Sequence, residues 1–210
     1  PVVIRKLFVC QHCPTHTTNP SVTLSVHLPE WINEVVDWQH PLHSDDDKMA
    51  LAVELARQNV LRGTGGPFAS IIIHRTSGQL LSVGVNQVVA QNNSTLHGEV
   101  MAIMLGEQRL QTFSLGNSSD EYELFTSCEP CAMCMGAILW SGVKRLVCAA
   151  TGDDARAIGF DEGPVFEQSY AYLRNAGIDV VRGMLQPEGK AVLELYLQQG
   201  GKLYNGKADD

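Results

Sequence analysis

Thr126-Ser127-Cys128-Glu129-Pro130-Cys131-Ala132-Met133-Cys134, taken with the earlier Leu96-His97-Gly98-Glu99-Val100, is the part of the chain around which the rest is organised. The two stretches supply one imidazole, two thiols three residues apart, and an acid two places after the imidazole. His97, Cys131 and Cys134 make a set of three zinc ligands. Three protein ligands leave a fourth position open for water, the arrangement of a catalytic zinc rather than a structural one.

The spacing has local physical reasons. Residues three apart lie on one face of a helix, so Cys131 and Cys134 point the same way from a helix expected to begin near Pro130. Proline suits a first helical position because it has no amide hydrogen to leave unpaired. A helix N-terminus also favours thiolate over thiol, and zinc needs the thiolate. His97 to Leu105 reads as a second helix with Thr95 as its N-cap. Val100 to Leu105 is apolar throughout, so that helix is expected to be buried. His97 and Glu99 converge only if both sit in the first turn, because residues two apart on a helix diverge. A lone Cys-x-x-Cys is also the mark of a redox pair or half of a structural zinc site. Cys10 and Cys13 form a second such pair, and with His12 and His16 they are zinc-compatible types without a spaced partner half.

Outward from these motifs, 210 residues make one domain with room for a core. The formal charge of -8 works against a nucleic-acid partner, since such binders carry a basic face. Six cysteines, at least two wanted as thiolates, point to a reducing compartment, expected to be the cytoplasm. No apolar run reaches about eighteen residues, so no membrane span is expected. Arg5-Lys6 and the run Leu7 to Cys10 are too short for a signal peptide.

Residues 1–44 are expected to be an N-terminal extension, and 45–210 the zinc domain. Val22 to Leu28 alternates weakly. Leu28 to His40 reads as a short helix carrying Trp31 and Trp38, and Asp47 to Arg62 as an amphipathic helix. Phe68 to His74 and Leu80 to Val89 are strands of a hairpin turned at Thr76-Ser77-Gly78. Gly63 to Pro67 lacks the lysine of a phosphate loop. Tyr122 to Thr126, Lys144 to Ala149 and Ile178 to Gly183 read as further strands. Ala132 to Trp140, Phe166 to Asn175 and Gly189 to Gln198 read as helices, with Trp140 placed in the core. Alternating elements predict an α/β fold, a three-layer α/β/α sandwich around a central five-stranded mixed sheet. Ligands in such folds sit beyond the carboxyl ends of strands, where both motifs fall.

His-x-Glu followed by Pro-Cys-x-x-Cys is the signature of zinc-dependent base deaminases. From Asp47 to Asn205 the order of elements, with Gly-Gly-Pro-Phe, Asn86, His97-Gly98-Glu99 and Cys128 to Cys134, resembles the cytidine deaminase-like superfamily. Ala157 to Pro164, Ala-Ile-Gly-Phe-Asp-Glu-Gly-Pro, is similar to a segment of bacterial guanine deaminases, some of which also accept triazines such as ammeline. The resemblance implies Zn2+ on His97, Cys131 and Cys134, a proton shuttle at Glu99, and Glu162 on the purine. It also implies base contacts from Phe68, Phe160 and Asn86, a homodimer, and a tail from Gly200 to Lys207 that closes the site through Tyr204. The Gly98 amide, beside the zinc ligand, is a candidate donor to the base. The same acids, Asp153, Asp154, Asp161 and Glu162, also read as a plain solvated cluster.

The expected reaction is hydrolytic deamination of a purine base, guanine to xanthine and ammonia, in which Glu99 moves the protons. The shared zinc motifs leave open a tRNA adenosine deaminase, a cytosine or cytidine deaminase, and an inactive zinc-stabilised binding protein. A structural site has no need of the non-ligand acid Glu99.

Overall fold

The computed structural model describes residues 24–117 and 119–206. The expectations for Cys10, His12, Cys13 and His16, for the start of Val22–Leu28, and for Lys207 lie outside the described residues. Five strands form one sheet in the order β2-β1-β3-β4-β5. They are β1 (Ala69–His74), β2 (Leu80–Val85), β3 (Tyr122–Cys128), β4 (Arg145–Ala150) and β5 (Asp179–Val181). β1 runs antiparallel to both β2 and β3, whereas β3, β4 and β5 are parallel, so the sheet is mixed. Among the described residues seven α-helices accompany it: α1 (Ile32–Val35), α2 (Asp45–Leu61), α3 (Gly98–Leu110), α4 (Ala132–Ser141), α5 (Gly152–Ala157), α6 (Glu167–Asn175) and α7 (Gln186–Gln198).

Strand alternation decides the layers, because successive side chains point to opposite faces. Ile71, Ile73, Val83, Phe125 and Val147 pack against α2 and α7 in one core. Ile72, Leu81, Leu124, Leu146 and Cys148 pack against α3, α4 and α6 in the other. The three-layer sandwich expected from the sequence is therefore the fold. Trp31, Ile32 and Val36, from the stretch read as an extension, are buried in the α2/α7 core.

Boundaries moved for local reasons. α2 starts two residues early because Ser44 caps it, its hydroxyl accepting from the Asp47 amide while Asp45, Asp46 and Asp47 face the positive helix end. The helix expected over Leu28–His40 is only the four residues of α1. β2 stops at Val85, and the remainder of the expected strand becomes turns. α5 was not expected; Thr151 and Asp154 close it with a capping box. Trp140, expected in the core, is 82% exposed, because α4 is apolar on all sides and only one face meets the sheet. Met104 of α3 is also exposed for that reason, so Val100–Leu105 is not buried throughout.

At the end of the sheet away from the zinc motifs, Lys48 and Arg145 both pair with buried Glu123, and Arg145 also with Asp45. Both cations lie over the Phe125 ring. Removing one partner of a buried pair costs about 3–5 kcal/mol, so this cluster fixes α2 to β3 and β4.

Candidate active site

β3 ends at Cys128, and the Glu129 amide still bonds to Ala150 O of β4 at 2.8 Å. The chain then turns through Pro130, and Cys131 becomes the N-cap of α4 rather than a residue within it. Pro130 thus lies one residue before the cap, not at the first helical position expected for it. Cys134 follows in the first turn, and an N-cap side chain folds back toward that third position. On α3 the N-cap is His97, not Thr95, whose hydroxyl is engaged by Asn93. Glu99 sits in the first turn of α3, as its convergence with His97 requires. Two helix N-termini therefore face one another, and each favours negative charge.

Gly84 of β2 makes this approach possible. A Cβ there would lie 2.1 Å from Gly98 O and 2.4 Å from Ala102 N, so only glycine lets α3 lie this close to the sheet.

His97 Nδ1 is 3.5 Å from Cys131 Sγ and 3.6 Å from Cys134 Sγ. The three ligand atoms lie within 4.8 Å of one another. A tetrahedral zinc, with bonds of about 2.3 Å to sulfur and 2.05 Å to nitrogen, separates those atoms by about 3.6 Å. The cluster therefore fits zinc in both donor chemistry and spacing, and among the described residues it is the group of its kind that the fold assembles.

The charges agree with a cation site. Cys131 is pushed down to about 4, first by its hydrogen bond with Cys134 and then by His97. Cys134 is driven well up, by the bond to Cys131 and by burial. Two adjacent thiolates repel; a divalent cation between them removes that conflict. Burial opposes charge on His97, but its bond to Cys131 and the nearby acids outweigh it and raise its pKa. Glu99 is raised to about 6, by burial and then by the charge of Cys131. Glu162 is raised to about 8 by burial, Cys131 and Glu99.

A cavity of about 40 Å³ adjoins the cluster. Phe68, His97, Glu99, Cys131, Phe160, Glu162 and Tyr204 all border it, so the structure brings together seven of the ten residues expected at the site. Cys134 lies behind them, with its Sγ 3.3 Å from Glu99 Oε2. Asn86 and Gly98 do not border the cavity. Asn86 is fully buried at the end of β2; its Oδ1 accepts from Val88 N, and its Nδ2 has no partner. Gly98 packs on Ala69. Glu162 is only 8% exposed, so it is no solvated charge, whereas Asp153 and Asp161 are exposed. Glu162 O accepts the first amide of α4 from Ala132 at 3.0 Å, which ties the loop to the cysteine helix.

The tail covers the cavity. Tyr204 lies 4.9 Å from the Phe160 ring and 6.5 Å from the His97 ring, between centroids. Asn205 holds the tail down by accepting from Asp161 N and donating to Gly159 O. Tyr204 Oη is buried and without a partner.

Glu129 also borders the cavity, and no role was read for it from the sequence. It is buried, accepting from Gly152 N and Arg182 Nε. Its one sequence signal is its place beside Pro130 within the quoted motif; nothing in the pattern points to Arg182, 53 residues on.

Residues 42–150 match the model of the cytidine and deoxycytidylate deaminase zinc-binding region. Guanine deaminase of Bacillus subtilis is 39% identical over 117 residues, 56% of this chain and 71% of the relative. A tRNA-specific adenosine deaminase of Haemophilus influenzae is 31% identical over 160 residues, 74% of this chain and 84% of the relative. The solved structure of guanine deaminase from Nitrosomonas europaea superposes with a TM-score of 0.81 at 38% identity, covering 86% of this chain and 100% of that one. With the zinc motifs at the carboxyl edge of this sheet and half of its length matched, the chain belongs to the cytidine and deoxycytidylate deaminase zinc-binding family, as a relative of the bacterial guanine deaminases.

Proposed function

We propose that this protein is a zinc-dependent aminohydrolase that deaminates a purine base, converting guanine to xanthine and ammonia. The observation that carries the reading is the pair of buried carboxylates, Glu99 and Glu162, beside His97, Cys131 and Cys134 in a cavity walled by Phe68, Phe160 and Tyr204. Its similarity to guanine deaminases of 38–39% identity supports it.

Zinc held by His97, Cys131 and Cys134 would lower the pKa of water toward neutrality and so supply the nucleophile. Glu99 accepts a proton and returns it to the ring nitrogen, for which a carboxyl poised near the working pH is suited. Glu162 faces the same cavity from the opposite loop and holds the donor-rich edge of guanine. Phe68 and Phe160, with ring centroids 5.0 Å apart, offer flat apolar walls to a base. The Gly98 amide and Asn86, which carries an unpaired buried donor, are assigned to the base once the tail has moved. The base enters by way of the tail, because Tyr204 and Asn205 close the tail side of the cavity. Tyr204 is accordingly the lid residue.

We assign the deaminase domain to residues 45–210, with 1–44 as an N-terminal segment whose Trp31, Ile32 and Val36 pack into the domain's core, and place the protein in the cytoplasm, where thiols stay reduced. Among the described residues no helix is long and apolar enough to cross a membrane. A homodimer is supported by the exposed apolar residues Met133 and Trp140, seven apart on α4. Trp140→Glu should halve the mass in solution. The activity is tested by ammonia release from guanine, adenine, cytosine, ammeline and an adenosine-containing tRNA. Preference for guanine supports the reading; preference for ammeline moves the substrate to the triazines, and turnover of the tRNA alone overturns the reading.

A further inference from the structure

Asn86 follows β2 and is fully buried. Its amide donates to Phe68 O at 2.9 Å, and its Oδ1 accepts from Val88 N. Its carbonyl accepts from Asn59 Nδ2 and from Gln87 Nε2, both at 3.0 Å. Its Nδ2 alone has no partner. A buried donor without a partner is costly, so a group that arrives to accept from it is favoured.

The residue that holds Asn86 is itself held. Asn59 is fully buried on α2, and its Nδ2 donates both hydrogens, one to Asn86 O and one to Gly66 O at 2.8 Å. Its Oδ1 accepts from Thr64 Oγ1 at 2.8 Å. The Thr64 hydroxyl in turn accepts from Trp31 Nε1 at 3.0 Å. Every hydrogen in this chain points one way, from Trp31 to Thr64 to Asn59 to Asn86, so the Asn59 amide has a single orientation. The backbone around it is tightly packed. A Cβ on Gly65 would lie 1.9 Å from Asn86 O, and one on Gly66 would lie 2.1 Å from Tyr204 Oη. One buried amide thus fixes both Asn86 and the seat of the lid residue. The segment that carries Trp31 makes a second tie to the same turn: Gln91 Nε2 donates to His27 O at 2.7 Å and to Gln87 Oε1 at 3.3 Å.

We propose that Trp31, acting through Thr64 and Asn59, positions Asn86 for the base, so that the segment before α2 takes part in substrate recognition. This rests on the deaminase reading above, in which Asn86 meets the base. A donor already held by buried partners binds without first being ordered, and a loosened one loses that gain. The effect belongs to binding of the base and leaves the proton transfers of Glu99 alone.

Thr64→Val keeps the shape of the side chain and removes the hydroxyl that joins Trp31 to Asn59. Trp31→Phe keeps an aromatic ring in the core and removes Nε1. Each should raise KM for guanine about three- to tenfold, the worth of one neutral hydrogen bond, with kcat near the wild-type value. Thr64→Ser keeps the hydroxyl and should bring KM back to that of the wild type. Melting temperature and zinc content, measured on the same samples, show that each variant is folded and loaded under the assay conditions. Unchanged KM in either Thr64→Val or Trp31→Phe, equal losses in Thr64→Val and Thr64→Ser, or a fall in kcat at constant KM overturns the positioning role. Absence of guanine turnover in the wild type overturns the deaminase reading and this role with it; turnover in the wild type with unmoved KM in the variants overturns this role alone.

Discussion

Gly84→Ala adds one methyl group and should disable the site from a distance. The new Cβ would lie 2.1 Å from Gly98 O and 2.4 Å from Ala102 N, where ordinary contact begins near 3.4 Å. Both obstacles are backbone, so no rotamer change relieves them, and α3 has to move off β2 by about 1.3 Å. α3 is capped by His97, whose Nδ1 reaches Cys131 and Cys134 Sγ at 3.5 and 3.6 Å. Two effects on stability compete. Alanine is favoured over glycine within a strand by roughly 0.5–1 kcal/mol. Overpacking costs about 1–3 kcal/mol, and it wins. At roughly 2–4 °C per kcal/mol for a chain of this size, Tm should fall by several degrees. A 1 Å misplacement of reacting groups costs about a hundredfold in rate. Thermal melts, a chelator competition for zinc and steady-state turnover measure the three consequences. A variant with wild-type Tm, zinc affinity and turnover would refute the close packing of α3 as the device that sets the ligands.

Three other outcomes are expected. Glu99→Gln should keep zinc and fold but lose at least about 10²-fold in kcat, since an amide cannot accept the proton; metal analysis and kinetics on one preparation check this. Asp45 is held below its ordinary value, chiefly by its hydrogen bond with Arg145. A depressed carboxylate contributes stability that is present above the unfolded value near 3.9 and lost as pH falls through the folded value. Asp45→Asn should therefore be less stable than wild type at neutral pH, and the gap should close below about pH 4 in denaturant titrations. Deleting the tail from Gly201 onward should open the cavity and raise KM for the base, because Tyr204 and Asn205 are removed together; an unchanged KM would remove the lid role.

Much of the site was legible because the chemistry is local. His97 and Glu99 are two residues apart, and Cys131 and Cys134 three, so each pair occupies one helix start whatever the rest of the chain does. The two-layered burial of β1 and β3 likewise shows as unbroken apolar runs, Ile71-Ile72-Ile73 and Leu124-Phe125, which only a sheet covered on both faces requires. Other features leave no local trace. α5 is six residues, too short for an apolar period, and only the Thr151–Asp154 cap betrays it. Trp140 reads as a core residue in the sequence, but its exposure depends on which face of an all-apolar helix the sheet takes. The partnership of Glu129 with Arg182 exists only after β4 and β5 bring them together.

The central claim is that Glu162 makes this family member an enzyme of guanine. Zinc, its three ligands and Glu99 serve any base, so they do not select one. Glu162 is raised by burial and by the charge of Cys131; zinc on the three ligands would neutralise that charge and so return Glu162 to an acceptor-only carboxylate. Its charge-assisted hydrogen bond in a closed pocket then contributes roughly 1.5–3 kcal/mol, about ten- to a hundredfold in binding. The direct measurement is kcat/KM for guanine, adenine and cytosine in the wild type and in Glu162→Gln, with zinc content determined on the same samples. The account predicts strong preference for guanine in the wild type, and a loss of at least about tenfold on guanine in Glu162→Gln at constant zinc. Guanine deamination at the wild-type rate by Glu162→Gln would contradict it.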